Sequence, residues 1–106
     1  FKVNASEEAV VPGKKLDDLI TDPLDFIKID VDGAEPRVLR GLEETIKRSL
    51  NLRMVIEFYP KYIRNLGLEP QDVLDFLDKY FTYERIQGDY TEDYWNYFCT
   101  RKGYAS

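Results

Sequence analysis

Phe26-Ile27-Lys28-Ile29-Asp30-Val31-Asp32-Gly33-Ala34-Glu35-Pro36 is the stretch whose reading decides the fold. The run from Phe26 to Val31 is mostly apolar and β-branched, and a glycine follows almost at once. Such a run reads as a strand buried on both faces, the habit of parallel sheets. Gly33 lets the backbone turn sharply, and Pro36 suits the first turn of a helix. Glu35 favours the positive end of that helix dipole.

Downstream, Val38, Leu39, Leu42, Ile46 and Leu50 recur at helical spacing, with charged residues between them. One helix is therefore expected from Pro36 to about Asn51. Met54-Val55-Ile56-Glu57-Phe58-Tyr59 reads as a second buried-type strand, closed by Pro60. Strand, helix and strand have about the length of a right-handed parallel crossover. Residues 61–68 form a helical turn ending at Gly67, and Glu69-Pro70-Gln71-Asp72 opens a helix carrying Val73, Leu74, Leu77 and Tyr80. Phe81 to Ile86 reads as a strand, Gln87-Gly88-Asp89 as a turn, and Trp95 to Thr100 as a last strand antiparallel to its neighbour.

Upstream the signal is weaker. Val10-Val11 precedes a Pro12-Gly13 turn, and residues 1–15 read as a short extended piece or a loop. Leu16, Leu19 and Ile20 share one helical face, which Pro23 ends. The order is α/β: strand, helix, strand, helix, strand, strand.

The chain has 106 residues, which suits one small domain, and 43% hydrophobic residues can supply its core. The net charge of -5, with no basic block, argues against nucleic-acid binding. No histidine is present, which removes Ser-His-Asp and Cys-His catalysis and any His-ligated metal site in this chain. Cys99 is the sole cysteine and reads as a small core residue. The lone thiol and the absence of a secretory leader point to the cytoplasm. No apolar run approaches the roughly 20 residues that span a bilayer. Zinc spacing and the glycine-rich phosphate loops are also absent.

Chemistry concentrates where the first strand ends. In open parallel sheets, ligands collect outside the carboxyl ends of strands. Asp30, Asp32 and Glu35 crowd that end, and their repulsion needs a cation, a donor or a shared proton to offset it. Two readings stand side by side. The groups could take a proton, touch a cofactor or bind a metal. Alternatively, Asp30 accepts loop amides while Asp32 and Glu35 cap the helix. Glu57, inside an apolar strand, faces the same crevice as Asp30 or pairs with Lys28 or an arginine. The aromatic tail, Tyr90, Tyr94, Trp95, Tyr97 and Phe98, packs the closing strands or lines an acceptor pocket.

These residues carry a resemblance. Leu16-Asp17-Asp18-Leu19-Ile20, then Phe26 to Glu35, then Val38-Leu39-Arg40-Gly41, then Val55-Ile56-Glu57 with Tyr59-Pro60, resemble the carboxyl half of FkbM-family methyltransferases. Asp32 stands where that family usually has Glu, which keeps the charge. The resemblance implies a Rossmann-like class I methyltransferase fold, here a partial one. It would be a mixed sheet with helices whose last strand is antiparallel. Residues 26–31 and 53–59 would be its fourth and fifth strands, and 82–86 and 95–100 its sixth and seventh. The whole chain, 1–106, would be a single partial domain without the glycine-rich cofactor-binding segment.

The implied cofactor is S-adenosylmethionine. The implied reaction is O-methylation of a hydroxyl on a small-molecule acceptor, often a sugar or natural product. Asp30 and Glu57 are the expected catalytic residues. Asp32, Gly33 and Glu35 are expected on the cofactor side, and no metal is assigned. On this resemblance the chain alone would be inactive. The rival reading is a non-catalytic degenerate half that acts as an interaction module, with self-association through an exposed sheet edge.

Overall fold

The structure, a computed structural model, describes residues 2–4, 16–18, 20, 22–86 and 94–103. The turns read at Pro12-Gly13 and Gln87-Gly88-Asp89, and Val10, Val11, Leu19 and Tyr90, lie outside these residues. Five strands form one sheet: β1 (Lys2–Asn4), β2 (Phe26–Asp30), β3 (Arg53–Phe58), β4 (Phe81–Arg85) and β5 (Trp95–Arg101). The spatial order is β1-β2-β3-β5-β4. β1 runs parallel to β2, and β2 parallel to β3. The last strand enters between β3 and β4 and is antiparallel to both.

Four α-helices are described: α1 (Glu35–Gly41), α2 (Glu43–Arg48), α3 (Pro60–Asn65) and α4 (Pro70–Tyr80). Three of them carry proline in the first turn, where its missing N–H costs no intrahelical bond. The single helix expected from Pro36 to Asn51 is in fact two. The chain departs from helical geometry at Leu42 (φ -105°, ψ 4°), and α2 ends at Arg48. Val38, Leu39, Leu42 and Ile46 nevertheless stay on one buried face, because a single irregular residue hardly disturbs the helical repeat.

Leu16–Asp18 is one 3-10 turn, not a regular helix. Its value lies in Asp17. The α2 N-terminus has no cap from its own residues. Asp17 supplies one from 28 positions away: its carboxylate accepts the Thr45 amide at 2.8 Å, the Thr45 hydroxyl at 2.6 Å and the Glu44 amide at 3.0 Å. The opposite end of α2 is also met from afar. Arg101 of β5 donates to the Ile46 and Lys47 carbonyls at 3.1 and 3.3 Å, satisfying acceptors that a helix end leaves open.

The core joins Ile27, Ile29, Met54, Ile56 and Phe81 of the sheet to Val38, Leu42, Ile63, Val73 and Leu77 of the helices. The expectation that the parallel strands are buried on both faces is corrected. β2 and β3 alternate buried with exposed or half-buried positions, so only one face is sealed. All the fully buried strand positions share the face that the described helices cover. Lys28, Asp30, Val55 and Glu57 lie on the other face and remain partly open.

Candidate functional site

The pairing of β2 with β3 places the site. Ile29 sits opposite Ile56 in parallel register, so Asp30 and Glu57 leave the sheet side by side at the carboxyl ends of neighbouring strands. Across β5, Glu57 pairs with Asn96. Paired residues point to the same face. Asp30, Glu57 and Asn96 therefore form a polar row.

The loop after β2 bends back over that row. Asp32 (φ 51°) and Gly33 (φ 103°) both adopt left-handed backbone, a region that Asp tolerates and Gly enters freely. A β-carbon on Gly33 would lie 2.6 Å from the backbone carbonyl carbon and oxygen of Tyr62. The loop thus seats directly on α3, and no other residue type fits there. The turn carries exposed Asp32 back toward the strand ends: Asp30, Asp32 and Glu57 each present a carboxylate oxygen within 4.8 Å of the others. That spacing is compatible with shared ligation of a hard cation, since calcium takes carboxylate oxygens at about 2.3–2.6 Å.

Glu35 has a different place. It is fully buried, and its Oε2 accepts the Val31 and Gly33 amides at 3.2 and 3.3 Å, while Oε1 has no partner. It makes no side-chain cap to α1. It braces the loop from beneath. Burial pushes its carboxyl up to about 7, against the two amide bonds, and repulsion from Glu57 adds to the rise. Glu57 is also raised, by burial first and then by Asp30 and Asp32. Lys28 opposes that shift, but no ion pair within 4.0 Å joins it to Glu57. At about 7, the Glu35 carboxyl can hold or exchange a proton near neutral pH.

Cys99 is buried in the core, and desolvation pushes its thiol up to about 12, which rules against a nucleophile at neutral pH. Asn96 and Tyr59 were not singled out in sequence as site residues. Asn96 lies opposite Glu57, which only the β3–β5 register could have revealed, and Tyr59 follows Glu57 by two positions.

A mixed α/β sheet with this carboxylate group at its parallel strand ends, and an antiparallel last strand, is compatible with part of a methyltransferase-like fold. The family model described as the methyltransferase FkbM domain matches residues 2–90, and the chain belongs to that family. No curated protein matches the chain in sequence. The resemblance read from the motifs is therefore shown, and methyl transfer is the class of activity that the family supports. Among the described residues, no helix is long and apolar enough to cross a membrane.

Proposed function

We propose that the chain is the acceptor side of an S-adenosylmethionine-dependent O-methyltransferase of Rossmann-like class I type. The observation that carries this reading is the convergence of Asp30, Asp32 and Glu57 to within 4.8 Å at the ends of adjacent parallel strands. The antiparallel last strand supports it, since the resemblance implies a mixed sheet that ends in such a strand.

When bound, S-adenosylmethionine supplies a methyl group on a sulfonium that an oxygen nucleophile can take. The residues present fit one side of that group. Asp32 is exposed at the strand ends and acceptor-only when ionised, so it suits hydroxyl or ammonium donors. Gly33 and Glu35 are buried, so their part on the cofactor side is to fix the loop that presents Asp32. Residues 1–106 hold no glycine-rich phosphate-type loop, and we place most of the donor affinity outside them.

Asp30 orients the acceptor hydroxyl and receives its proton as the oxygen becomes a nucleophile. Glu57, beside it on the neighbouring strand, holds the hydroxyl in line. Most of the rate then comes from positioning. The acceptor is a small molecule with a free hydroxyl, of the sugar or natural-product kind.

Calorimetric titration with S-adenosylmethionine tests the reading, on residues 1–106 and on a version extended at the amino end. Tight binding to the extended version and weak binding to the short one are expected. Equal, tight binding to both overturns the division of labour. Methyl transfer by Asp30→Asn in the extended protein should fall by about 100-fold or more. An unchanged rate removes Asp30 from the mechanism.

A further inference from the structure

Glu35 is fully buried beneath the turn that joins β2 to α1, and its Oε2 takes both the Val31 and the Gly33 amides, at 3.2 and 3.3 Å. A charged acceptor draws an N–H to roughly 2.7–2.9 Å, so these lengths are those of a neutral carbonyl oxygen. Oε1 is buried with no hydrogen-bond partner. Ionisation would leave that oxygen charged and bare, a costly state for a buried atom. The geometry therefore places a proton on Oε1 while the turn is closed over it.

The charged neighbours of Glu35 do not compensate it. Glu57 of β3 repels it, and Asp30 and Asp32 stand with Glu57 at the same strand ends. Lys28 of β2 acts on Glu57. Arg37 and Arg40 of α1, and Lys61 and Arg64 of α3, are exposed. Among the described residues, no ion pair within 4.0 Å joins Glu35 to any of these cations.

The turn itself is held lightly. Asp32 and Gly33 both have left-handed backbone, which a residue with a side chain enters reluctantly. The turn's own backbone bond, from the Ala34 amide to the Val31 carbonyl, is 3.2 Å long. Its seat is firm by contrast. Gly33 closes on the Tyr62 backbone, and the Tyr62 ring stacks on Tyr59 at 4.0 Å between centroids, which stacks in turn on Tyr94 at 5.1 Å. The part free to move is the turn, and Glu35 is what ties it down.

We propose that Glu35 is a pH-operated catch on the Val31–Gly33 turn. Carrying its proton, it holds the turn shut against α3 and keeps Asp32 beside Asp30 and Glu57. When the proton passes to water, the turn opens, Oε1 becomes hydrated, and Asp32 leaves the other two carboxylates. The closed carboxyl titrates at about 7 and an ordinary one at 4.5, so opening gains on closing as pH rises between those values and levels off above about 7. The catch stands on the geometry of the turn. Its use, to admit and release a methyl donor beside Asp32, rests on the methyl-transfer reading.

Amide hydrogen exchange in the full-length protein, followed by NMR and corrected for the intrinsic effect of pH, tests the catch. Val31 and Gly33 should be less protected than core amides such as Ile29 and Ile56, and their protection should fall about tenfold or more between roughly pH 5 and pH 7. Glu35→Gln keeps an oxygen for both amides and does not titrate, so it should lose most of that fall. Where Glu35→Gln does not fold, Glu57→Gln serves: with one repulsion removed, the fall should move to lower pH. Exchange of Val31 and Gly33 no faster than that of the core would mean that the turn opens only when the whole protein unfolds, and it overturns the catch. A wild-type fall in Glu35→Gln, or an unmoved one in Glu57→Gln, does the same. S-adenosylmethionine is titrated into the same samples. Donor binding without pH-dependent opening sinks the catch and spares the methyl-transfer reading. Opening that follows pH, without donor binding, does the reverse.

Discussion

Asp17 holds Thr45 by both its amide and its hydroxyl, at 2.8 and 2.6 Å, across 28 residues of sequence. A 3-10 turn before the first central strand thereby starts a helix that follows it. The helix is six residues long, too short to be stable alone in water. Its existence depends on contacts made from outside it.

Removing that contact should be felt globally. Asp17→Ala leaves two α2 amides without their acceptor, and a loss of about 1–2 kcal/mol is expected. Asp17→Asn keeps an oxygen in place and should cost less. Urea unfolding reads both; a shift in midpoint at constant slope is the expected form.

The two left-handed glycines should respond differently to alanine. Gly33→Ala drives a methyl group to 2.6 Å from the Tyr62 backbone at φ 103°, and a loss of at least about 2 kcal/mol is expected. Gly67→Ala has the same kind of backbone strain at φ 75° but open space around it, so about 1 kcal/mol is expected. Thermal melts of the two variants check the ranking, and equal effects would show that φ and not the close approach dominates.

Glu35 gives the protein a pH dependence with a definite sign. Its carboxyl is raised from 4.5 to about 7 in the folded state. Between those values the folded protein binds more protons than the unfolded chain, so stability falls as pH rises through that window and levels off above about 7. The span corresponds to roughly 2–4 kcal/mol. Glu35→Gln keeps an oxygen for the Val31 and Gly33 amides but does not titrate. Urea midpoints at pH 4.5, 6 and 8 should decline less in this variant, with the remaining slope owed partly to Glu57, which is raised in the same direction.

Cys99 should be inert toward alkylating reagents in the native protein, because burial pushes its thiol up to about 12. Labelling is expected to become fast only in denaturant, with a rate that follows the fraction unfolded. Prompt labelling in buffer would show that β5 opens readily.

Much of the fold was legible because its central strands announce themselves. Phe26 to Asp30 and Arg53 to Phe58 are apolar runs bounded by Gly33 and Pro60, and they lie where pattern reading expects them. The break at Leu42 was not legible, since the apolar spacing runs straight through it. Nor was the half-open sheet: an apolar strand does not say whether one face or two will be covered. A crevice shared by Asp30 and Glu57 was one of two readings the sequence left open, and the strand register brings their carboxylates within 4.8 Å. The buried place of Glu35 was hidden, because it depends on how the Val31–Gly33 loop folds over it. The tyrosine stack was hidden for a related reason, since Tyr59 meets Tyr94 only through an antiparallel register between distant segments.

The position of β5 has a consequence for biosynthesis. During translation β4 is made before β5, its one sheet neighbour among the described residues, and β3 waits for a second partner, until residues 95–101 leave the ribosome. The same segment delivers Arg101 to the open carbonyls of α2. A nascent chain stalled short of Trp95 would therefore expose the backbone of β3 and an unattached β4 at once. It is in that interval, and not in the finished molecule, that the protein has most need of a chaperone.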